Sequence, residues 1–384
     1  MNNDHKILKT AVEQLCSKFG DEYWLARDTD GQWPHEFVTS IAEAGWLGIC
    51  MPEEFGGAGL GVTEASILMQ TITESGGGFT AASSIHINLF GPQPIVQFGT
   101  NEQHKRMLPG LISGSEQMCF GVTEPNAGLD TGAIETRADH DGDDYIISGQ
   151  KIWTSTAQGA DKIMLLARTS PRDTKKKSTD GLTLFYTEMD RDHIEVRNIA
   201  KMGRKAVDSN AVFIDGLRVP STDRIGEEGA GFRYLLHGLN PERILIGAEA
   251  IGIGYAALSK GINYAKERNV FGRPIGKNQS IQHPLADAWM KLKAANLMVF
   301  EAARLFDSGQ SCGAEANAAK YLGAEAAHDA CEQSILTHGG MGYAKEYHVE
   351  RYLRESYIAR IAPVSREMIL NYIAERVLGL PRSY

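Results

Sequence analysis

The sequence contains few short patterns that could do chemistry without help. No P-loop, HExxH or GxSxG pattern is present, which excludes the commonest signatures of nucleotide hydrolysis, zinc proteolysis and serine hydrolysis. Five cysteines stand far apart, at positions 16, 50, 119, 312 and 331. They form no CxxC pair and no compact Cys/His ligand set, so we expect neither a metal site nor a disulfide framework. Oxidation chemistry would therefore need a bound cofactor.

One glycine pattern looks like a phosphate-binding turn. Gly252, Gly254 and Ala257 satisfy the spacing GxGxxA. In a dinucleotide-binding fold this turn directly follows a β-strand. Here the pattern lies inside a helical run with no strand before it. We therefore interpret it as close packing between helices through small residues.

Hydrophobic periodicity divides the chain into three parts. Residues 1–118 and 230–384 space apolar residues three and four apart, which is typical of helices. Residues 119–229 contain short β-prone runs such as DYIISGQKIWTST and NAVFIDGLRVP. The sequence thus predicts a helical N-terminal domain, a β domain and a C-terminal helical bundle with these limits. The lysine-rich stretch at 171–181 predicts a solvated loop.

Composition limits the partners that the protein could have. A formal charge of −9 and a pI near 5.7 argue against a nucleic-acid surface, which needs clustered Lys and Arg. The N-terminal segment MNNDHKILKTAVEQL lacks the features of a signal peptide. No window of the sequence predicts a membrane-spanning helix. We expect a cytoplasmic protein with neither nucleic acid nor membrane as a partner.

Five segments resemble the acyl-CoA dehydrogenase family. The longest, FGVTEPNAGLDTGAIETRADHDGDDYIISGQKIWTSTA at 120–157, is similar to the family signature that runs from a TEP turn to a K-x-W strand. The others are KMGRKAVDS (201–209), VPSTDRIGEEGAGF (219–232), RNVFGRPI (268–275) and THGGMGYAKEYHVERYLRE (337–355). They follow one another in the family's order over nearly the whole chain. The resemblance implies an α+β, mostly α fold with a helical N-domain, a central β-barrel, a C-terminal four-helix bundle, bound FAD and a homotetramer.

The same resemblance implies which residues hold FAD. Thr123 would bond the flavin ring, Trp153 would pack on it, and Ser155 would approach flavin N5, where the family usually has Thr. Without the resemblance, a turn threonine, a core tryptophan and a turn serine would be the simpler interpretation. Arg268 and Phe271 would reach the FAD of a neighbouring subunit. The remaining cofactor positions implied by the resemblance are Gly339, Gly340, Ser365 and Glu367.

Several residues depart from the family pattern. Leu129 stands where the family often has Ser, and Leu336 where it often has Gln, so two polar contacts to phosphate or ligand are lost. Pro363 stands where many relatives carry the glutamate that acts as base. Because proline has no backbone N–H, half of the usual site for the thioester oxygen is missing as well. Ala362 replaces a common Tyr, and this smaller pocket wall predicts room for a branched acyl group.

Glu242 offers an alternative position for the base. In isovaleryl-CoA and long-chain acyl-CoA dehydrogenases, which this arrangement resembles, the base is a glutamate beside an arginine early in a bundle helix. By that resemblance Glu242 takes the acyl α-proton and Arg243 lies in the substrate pocket. A helix start explains the same residues differently, with Asn240 as cap and Pro241 in the first turn. Since Pro363 cannot accept a proton, the sequence favours the catalytic interpretation.

The resemblance implies α,β-dehydrogenation of an acyl-CoA thioester to a trans-2-enoyl-CoA, with hydride transfer to FAD. Electrons would leave to an electron-transfer flavoprotein. Two alternatives stay open at this point. One is an enoyl-CoA reductase of the same fold. The other is a flavin- or CoA-binding protein without dehydrogenase activity, which Pro363 and the two lost polar contacts suggest.

Overall fold

The computed structural model describes residues 2–173, 175 and 177–383. The predicted solvated loop at 171–181 is therefore described only in part, because Thr174 and Lys176 lie outside the described residues. Lys175 and Lys177 are exposed.

Helices form the N-terminal part of the chain. They are α1 (Asn3–Cys16), α2 (Asp21–Asp30), α3 (His35–Glu43), α4 (Val62–Ile72), α5 (Gly78–Phe90), α6 (Gln93–Phe98) and α7 (Asn101–Ser113). A π-helical turn at Thr73–Gly77 separates α4 from α5. Gly76 and Gly78 have φ angles of 99° and 58° there, which glycine adopts readily because it has no Cβ. This turn sets the direction in which α5 leaves α4.

A mixed sheet forms the middle part. Its strands are β1 (Met118–Gly121), β2 (Arg137–Asp141), β3 (Asp144–Ser155), β4 (Lys162–Arg168), β5 (Leu182–Glu188), β6 (Ile194–Asn198), β7 (Ser209–Val219) and β8 (Arg224–Ile225). They are ordered β6-β7-β3-β2-β4-β5-β8, and β1 runs parallel to β4. β3 and β7 pair antiparallel, with a register shift between Lys151 and Thr154. Such a bulge re-aims side chains, and it contains Trp153, whose φ is 60°.

Helices return in the C-terminal part. The elements are α8 (Gly231–Glu267), β9 (Asn269–Val270), β10 (Arg273–Pro274), α9 (Gln279–Asp307), α10 (Gly313–His338), α11 (Val349–Ile361) and α12 (Arg366–Tyr372). α8 packs against α9, α10 and α4. A Cβ at Gly252 would lie 1.9 Å from Oγ1 of Thr73, and one at Gly254 would lie 2.6 Å from Leu292. The interpretation of the GxGxxA pattern as a helix-packing motif is confirmed.

The predicted fold class is confirmed, since the chain is 58% helical with a mixed sheet between helical parts. The domain limits at 118 and 229 stay a prediction.

The start of α8 corrects one expectation. α8 begins at Gly231, so Asn240 and Pro241 lie inside the helix and not at its start. The helix-start interpretation of Glu242 is therefore wrong. Pro241 cannot donate to the carbonyl four residues earlier, but buried side chains on both sides of it, such as Leu235 and Leu245, keep the helix continuous.

α8 also corrects the expectation that no segment could span a membrane. By length and composition alone, Gly231–Glu267 is apolar enough to do so. Most of its apolar stretch is buried inside the protein. Burial in the bundle explains its composition, because a core helix is apolar on every side that it packs.

A buried ion pair connects α11 to the turn before α5. Arg351 and Glu355 are each 1% exposed, and Arg351 Nη1 lies 3.7 Å from Glu355 Oε1. Glu355 also accepts hydrogen bonds from the backbone N–H of Thr80 at 3.0 Å and from its hydroxyl at 2.6 Å. Arg351 Nη2 donates to the carbonyl of Gly76 at 2.7 Å. These bonds fix the first turn of α5.

Candidate active site

Thr123 lies beside β3, the strand that carries Trp153 and Ser155. The backbone N–H of Ile152 donates to the carbonyl of Thr123 at 2.8 Å, which ties the TEP turn to the bulge in β3. The Trp153 side chain is 57% exposed, so it is not a core residue. Within the described part of the chain, the hydroxyls of Thr123 and Ser155 make no hydrogen bond. Free hydroxyls beside an exposed aromatic ring suit a planar ligand with a polar edge, and the flavin of FAD is such a ligand.

A buried ion pair lies next to Thr123 and Trp153 in the sequence. Lys151 is fully buried, and its Nζ lies 2.8 Å from Oε1 of Glu124. Glu124 also accepts from the backbone N–H groups of Glu135 at 2.6 Å and Thr136 at 2.9 Å. Glu124 directly follows Thr123 in the sequence, and Lys151 stands two residues before Trp153. The pair therefore fixes the backbone that presents Thr123 and Trp153.

We expect Lys151→Met to weaken FAD binding. The change leaves the Glu124 carboxylate buried without its lysine, which is strongly destabilising for its surroundings. The FAD retained per chain after dialysis should fall well below that of the parent protein. Lys162→Met is the matched control, because Lys162 on β4 pairs with Glu188, whose side chain is 68% exposed. Equal FAD retention in the two variants would contradict the supporting role.

Gly339 and Gly340 leave open space at the end of α10. Gly339 has a φ of 60°, a conformation that favours glycine. A Cβ at either position would meet no atom within 4 Å. Both residues are exposed. The backbone is open to a ligand here, and the cofactor role that the resemblance implies for these two glycines stays a prediction.

Arg268 and Phe271 lie just beyond α8 and are both exposed, Phe271 completely. The Arg268 guanidinium has no hydrogen bond or ion pair within residues 2–173, 175 and 177–383. An unpaired guanidinium beside an exposed aromatic ring suits a contact with a second subunit and an anionic cofactor group.

The other two predicted cofactor positions, Ser365 and Glu367, lie at the start of α12. The hydroxyl of Ser365 caps α12 by accepting the backbone N–H of Met368 at 3.3 Å. Glu367 is exposed on the same helix. Leu129 and Leu336, which replace polar residues, are 55% and 62% exposed. Their apolar side chains face the outside of the chain and give a cofactor no polar contact.

Glu242 lies within α8 and is 9% exposed. No hydrogen bond to its carboxylate is found among the residues that the structure describes. Burial raises the pKa of Glu242 to about 7; the charges of His86 and Arg243 lower it, Glu249 raises it and Lys320 lowers it. A carboxylate with a pKa in this range can accept or release a proton near neutral pH.

Arg243 directly follows Glu242 on α8 and is half-buried. Its Nη1 donates to Oδ1 of Asn240 at 3.0 Å. Its Nε is buried and has no hydrogen-bond partner among the described residues. Burial lowers the pKa of Arg243, and the charge of Glu242 opposes this shift.

Lys320 links Glu242 to the loop that contains Pro363. Lys320 on α10 is 1% exposed, and its Nζ donates to the carbonyl of Val364 at 2.6 Å. Its charge also acts on Glu242. Ala362 and Pro363 are half-buried in this loop. Lys320 therefore holds the loop beside Pro363 by a hydrogen bond and acts on Glu242 by its charge.

Sequence reasoning missed a second buried pair on the side of α8 that carries Glu242. Nδ1 of His86 on α5 lies 2.6 Å from Oε1 of Glu249, and Glu249 is fully buried. Glu249 follows Glu242 by seven residues, so both face the same side of α8. Two glutamates seven residues apart in an otherwise apolar helix are visible in the sequence and could have indicated a second buried carboxylate. The partner could not be inferred, because His86 stands 163 residues before Glu249.

Models of one protein family match most of the chain. The acyl-CoA dehydrogenase N-terminal domain matches residues 2–115, the middle domain matches 119–217 and the C-terminal domain matches 229–378.

Individual proteins give the same result. The chain is 36% identical to the acyl-CoA dehydrogenase FadE12 of Mycobacterium tuberculosis, over 100% of this chain and 98% of that protein. It is 32% identical to the caffeyl-CoA reductase–Etf complex subunit CarC of Acetobacterium woodii, over 91% of this chain and 90% of that protein. The structure of butyryl-CoA dehydrogenase from Megasphaera elsdenii superimposes with a TM-score of 0.93 at 28% identity, covering 98% of this chain and 99% of that one.

Proposed function

The chain belongs to the acyl-CoA dehydrogenase family of oxidoreductases, whose cofactor is FAD, and from this premise we propose that it converts an acyl-CoA thioester to a trans-2-enoyl-CoA. Glu242 is the base in this proposal. The observation that carries it is a carboxylate buried inside α8 with no hydrogen-bond partner among the described residues; this burial raises the pKa of Glu242 to about 7.

The reaction removes one proton and one hydride from neighbouring carbons. Glu242 accepts the α-proton on its carboxylate, and a carbon–carbon single bond becomes a double bond as the β-hydride leaves. FAD, when bound, supplies the hydride acceptor. Thr123 and Ser155 offer hydroxyls to the polar edge of the flavin, and Trp153 offers an aromatic face. Lys320 keeps a positive charge near Glu242, which favours its ionised form before proton transfer.

A reductase that runs toward the saturated thioester is the second candidate. The similarity to a protein named caffeyl-CoA reductase supports it. The site is compatible with this direction, because a carboxyl with a pKa near 7 is partly protonated at neutral pH and can donate to the α-carbon. The redox partner would then decide the direction of the reaction.

We infer that an electron-transfer flavoprotein exchanges electrons with the bound FAD. The similarity to a subunit of an Etf complex supports this. The soluble protein would work in the cytoplasm, and docking would be transient and partly electrostatic. Rapid, stoichiometric peroxide formation from an acyl-CoA and air would show an oxidase instead.

Anaerobic mixing with thioesters tests the proposed function. The oxidised protein is mixed with straight and branched acyl-CoAs while the absorbance of oxidised flavin is followed. We expect bleaching by at least one saturated thioester, including a branched one, because Ala362 and Pro363 leave a small pocket wall. Photoreduced protein is then mixed with enoyl-CoAs. Reoxidation by enoyl-CoAs without bleaching by any acyl-CoA would favour the reductase, and no reaction in either direction would indicate a binding protein.

We also propose a homotetramer with one FAD per chain. Met290 and Leu297 on α9 are 57% and 74% exposed and stand seven residues apart, so they form one apolar stripe. Such a surface indicates a subunit contact.

We expect Leu297→Glu to sediment as a smaller species with less FAD, because the new charge would be buried in that contact. Ile7→Glu is the control, since Ile7 is 61% exposed on α1, and this variant should remain a tetramer. A monomer with full FAD content would contradict the proposal.

A further inference from the structure

The His86–Glu249 pair occupies a buried position on the helix face that carries Glu242. Glu249 is 0% exposed, and its Oε1 lies 2.6 Å from Nδ1 of His86. The His86 ring packs on Phe90 with ring centroids 4.9 Å apart. Because seven residues make nearly two full turns, the Glu249 side chain lies about 10 Å further along α8 on the same side. The pair and Glu242 therefore share one buried region between α5 and α8.

Neither member of the pair can contact a ligand directly. Nε2 of His86 and Oε2 of Glu249 are sealed from solvent, and neither has a hydrogen-bond partner among the described residues. A substrate could reach these atoms only if surrounding side chains moved. Their charges still act through the protein interior, where screening by water is weak.

The charged groups around the pair come from several elements. Glu242 and Arg243 lie on α8 itself, and Lys320 faces Glu242 from α10. Arg204, in the segment between β6 and β7, donates from Nη1 to Oγ of Ser83 at 2.7 Å. Ser83 stands one turn before His86 on α5, and the Arg204 charge opposes protonation of His86. Burial also opposes it, but the charges of Glu249 and Glu242 outweigh both effects and raise the pKa of His86.

We propose that the His86–Glu249 pair is a positioning element that sets the protonation of Glu242 through charge coupling, and thereby the pH range in which the base works. This inference rests on the proposed function of Glu242. With His86 protonated, the pair is neutral and its imidazolium favours the ionised base. With His86 neutral, the pair carries the negative charge of Glu249, which disfavours a second negative charge nearby. The protonation of His86 and the protonation of Glu242 are therefore coupled.

The pH profile of flavin reduction tests the coupling. His86→Gln removes the positive charge and leaves Glu249 negative, so Glu242 should ionise only at higher pH. The midpoint of the profile should move up by about one pH unit, because a positive charge that favours the ionised carboxylate is lost from the protein interior. The double variant His86→Gln/Glu249→Gln removes both charges, and its midpoint should return more than halfway to that of the parent.

A matched control separates charge from packing. His328 on α10 is half-buried and bonded through Nδ1 to Oγ of Ser356 at 2.9 Å, so His328→Gln should leave the midpoint unchanged. If His86→Gln fails to fold, His86→Asn keeps a polar group near the Nδ1 position and serves in its place. A midpoint that stays at the parent value in the His86 variant, or a double variant shifted as far as the single one, would overturn the proposal.

A second readout needs no turnover. The infrared C=O band of the protonated Glu242 carboxyl, identified by its loss in Glu242→Gln, is titrated with pH in the FAD-bound protein without substrate. We expect the band to persist to higher pH in His86→Gln. An unshifted band overturns the coupling even if Glu242 is the base. A shifted band in a protein whose Glu242→Gln variant still reduces its flavin would uphold the coupling and refute the proposed function.

Discussion

Replacing Glu242 by Gln should slow flavin reduction by an acyl-CoA by about 10²–10⁴-fold, which corresponds to roughly 3–5 kcal/mol of barrier. The amide keeps the shape of the side chain and removes its basicity. Since no hydrogen bond to this carboxylate is found in the described part of the chain, the substitution breaks no such bond. The measurement is the rate of flavin bleaching in anaerobic stopped flow.

Two controls accompany this variant. FAD content and the binding of a non-reacting CoA thioester should remain at parent levels. Glu267→Gln changes an exposed glutamate at the end of the same helix and should reduce its flavin at the parent rate. If Glu242→Gln also reacted at that rate, another carboxylate would be the base, and Glu367 would be the next to test.

The difference in stability between the parent protein and Glu242→Gln should depend on pH. Burial raises the pKa of Glu242 from 4.5 to about 7. The stability that the protonated, buried carboxyl gives is fully present below pH 4.5. It is lost as pH rises through 7, because the carboxyl ionises more readily in the unfolded chain than in the folded one. The difference corresponds to about 3 kcal/mol when both states are ionised. Glu242→Gln should therefore unfold at higher denaturant than the parent at pH 8, with the gap closing toward pH 4.5. A constant gap across this range would contradict the assigned pKa.

Replacing Arg351 by Met should lower the free energy of unfolding by about 3–5 kcal/mol. Among the described residues, the change leaves the buried Glu355 carboxylate with the two hydrogen bonds from Thr80 alone, and it removes the Arg351 donor to Gly76. Chemical unfolding, followed by far-UV circular dichroism at pH 7, measures the effect. Because the network also fixes the start of α5, flavin retention should fall with stability.

Arg304→Met is the matched control for this prediction. Arg304 pairs with Glu301 on α9, but the two side chains are 57% and 47% exposed. Exposed pairs contribute about 0–1 kcal/mol, so this variant should stay close to the parent. Similar losses in the two variants would show that the burial of Arg351 adds nothing to its role.

Local patterns in the sequence predicted the division into helical and β parts, because the helical periodicity gives way to short β-prone runs near residue 119. They did not predict where α8 begins. Asn240 and Pro241 give a strong local start signal, but the buried residues before them keep the helix continuous from Gly231. Tertiary packing outweighed local preference there.

Some residues of the candidate site could be named from the sequence, and others could not. Thr123, Trp153 and Ser155 could be named because they belong to a continuous segment. The Lys151–Glu124 pair lies within the same segment, yet the sequence gives no sign that these two charges are buried together. The His86–Glu249 pair joins residues from α5 and α8, and only folding brings such distant positions into contact.

The length of α8 has a consequence for insertions and deletions. One uninterrupted helix carries Glu242 and ends directly before Arg268, so their relative angle is fixed by the number of residues between them. Each residue adds about 100° of rotation and about 1.5 Å of rise. A single inserted residue between them would therefore turn Arg268 away from its present direction relative to Glu242. An insertion of seven would nearly restore that direction but displace Arg268 by about 10 Å, so no short length change in this segment preserves both the angle and the distance.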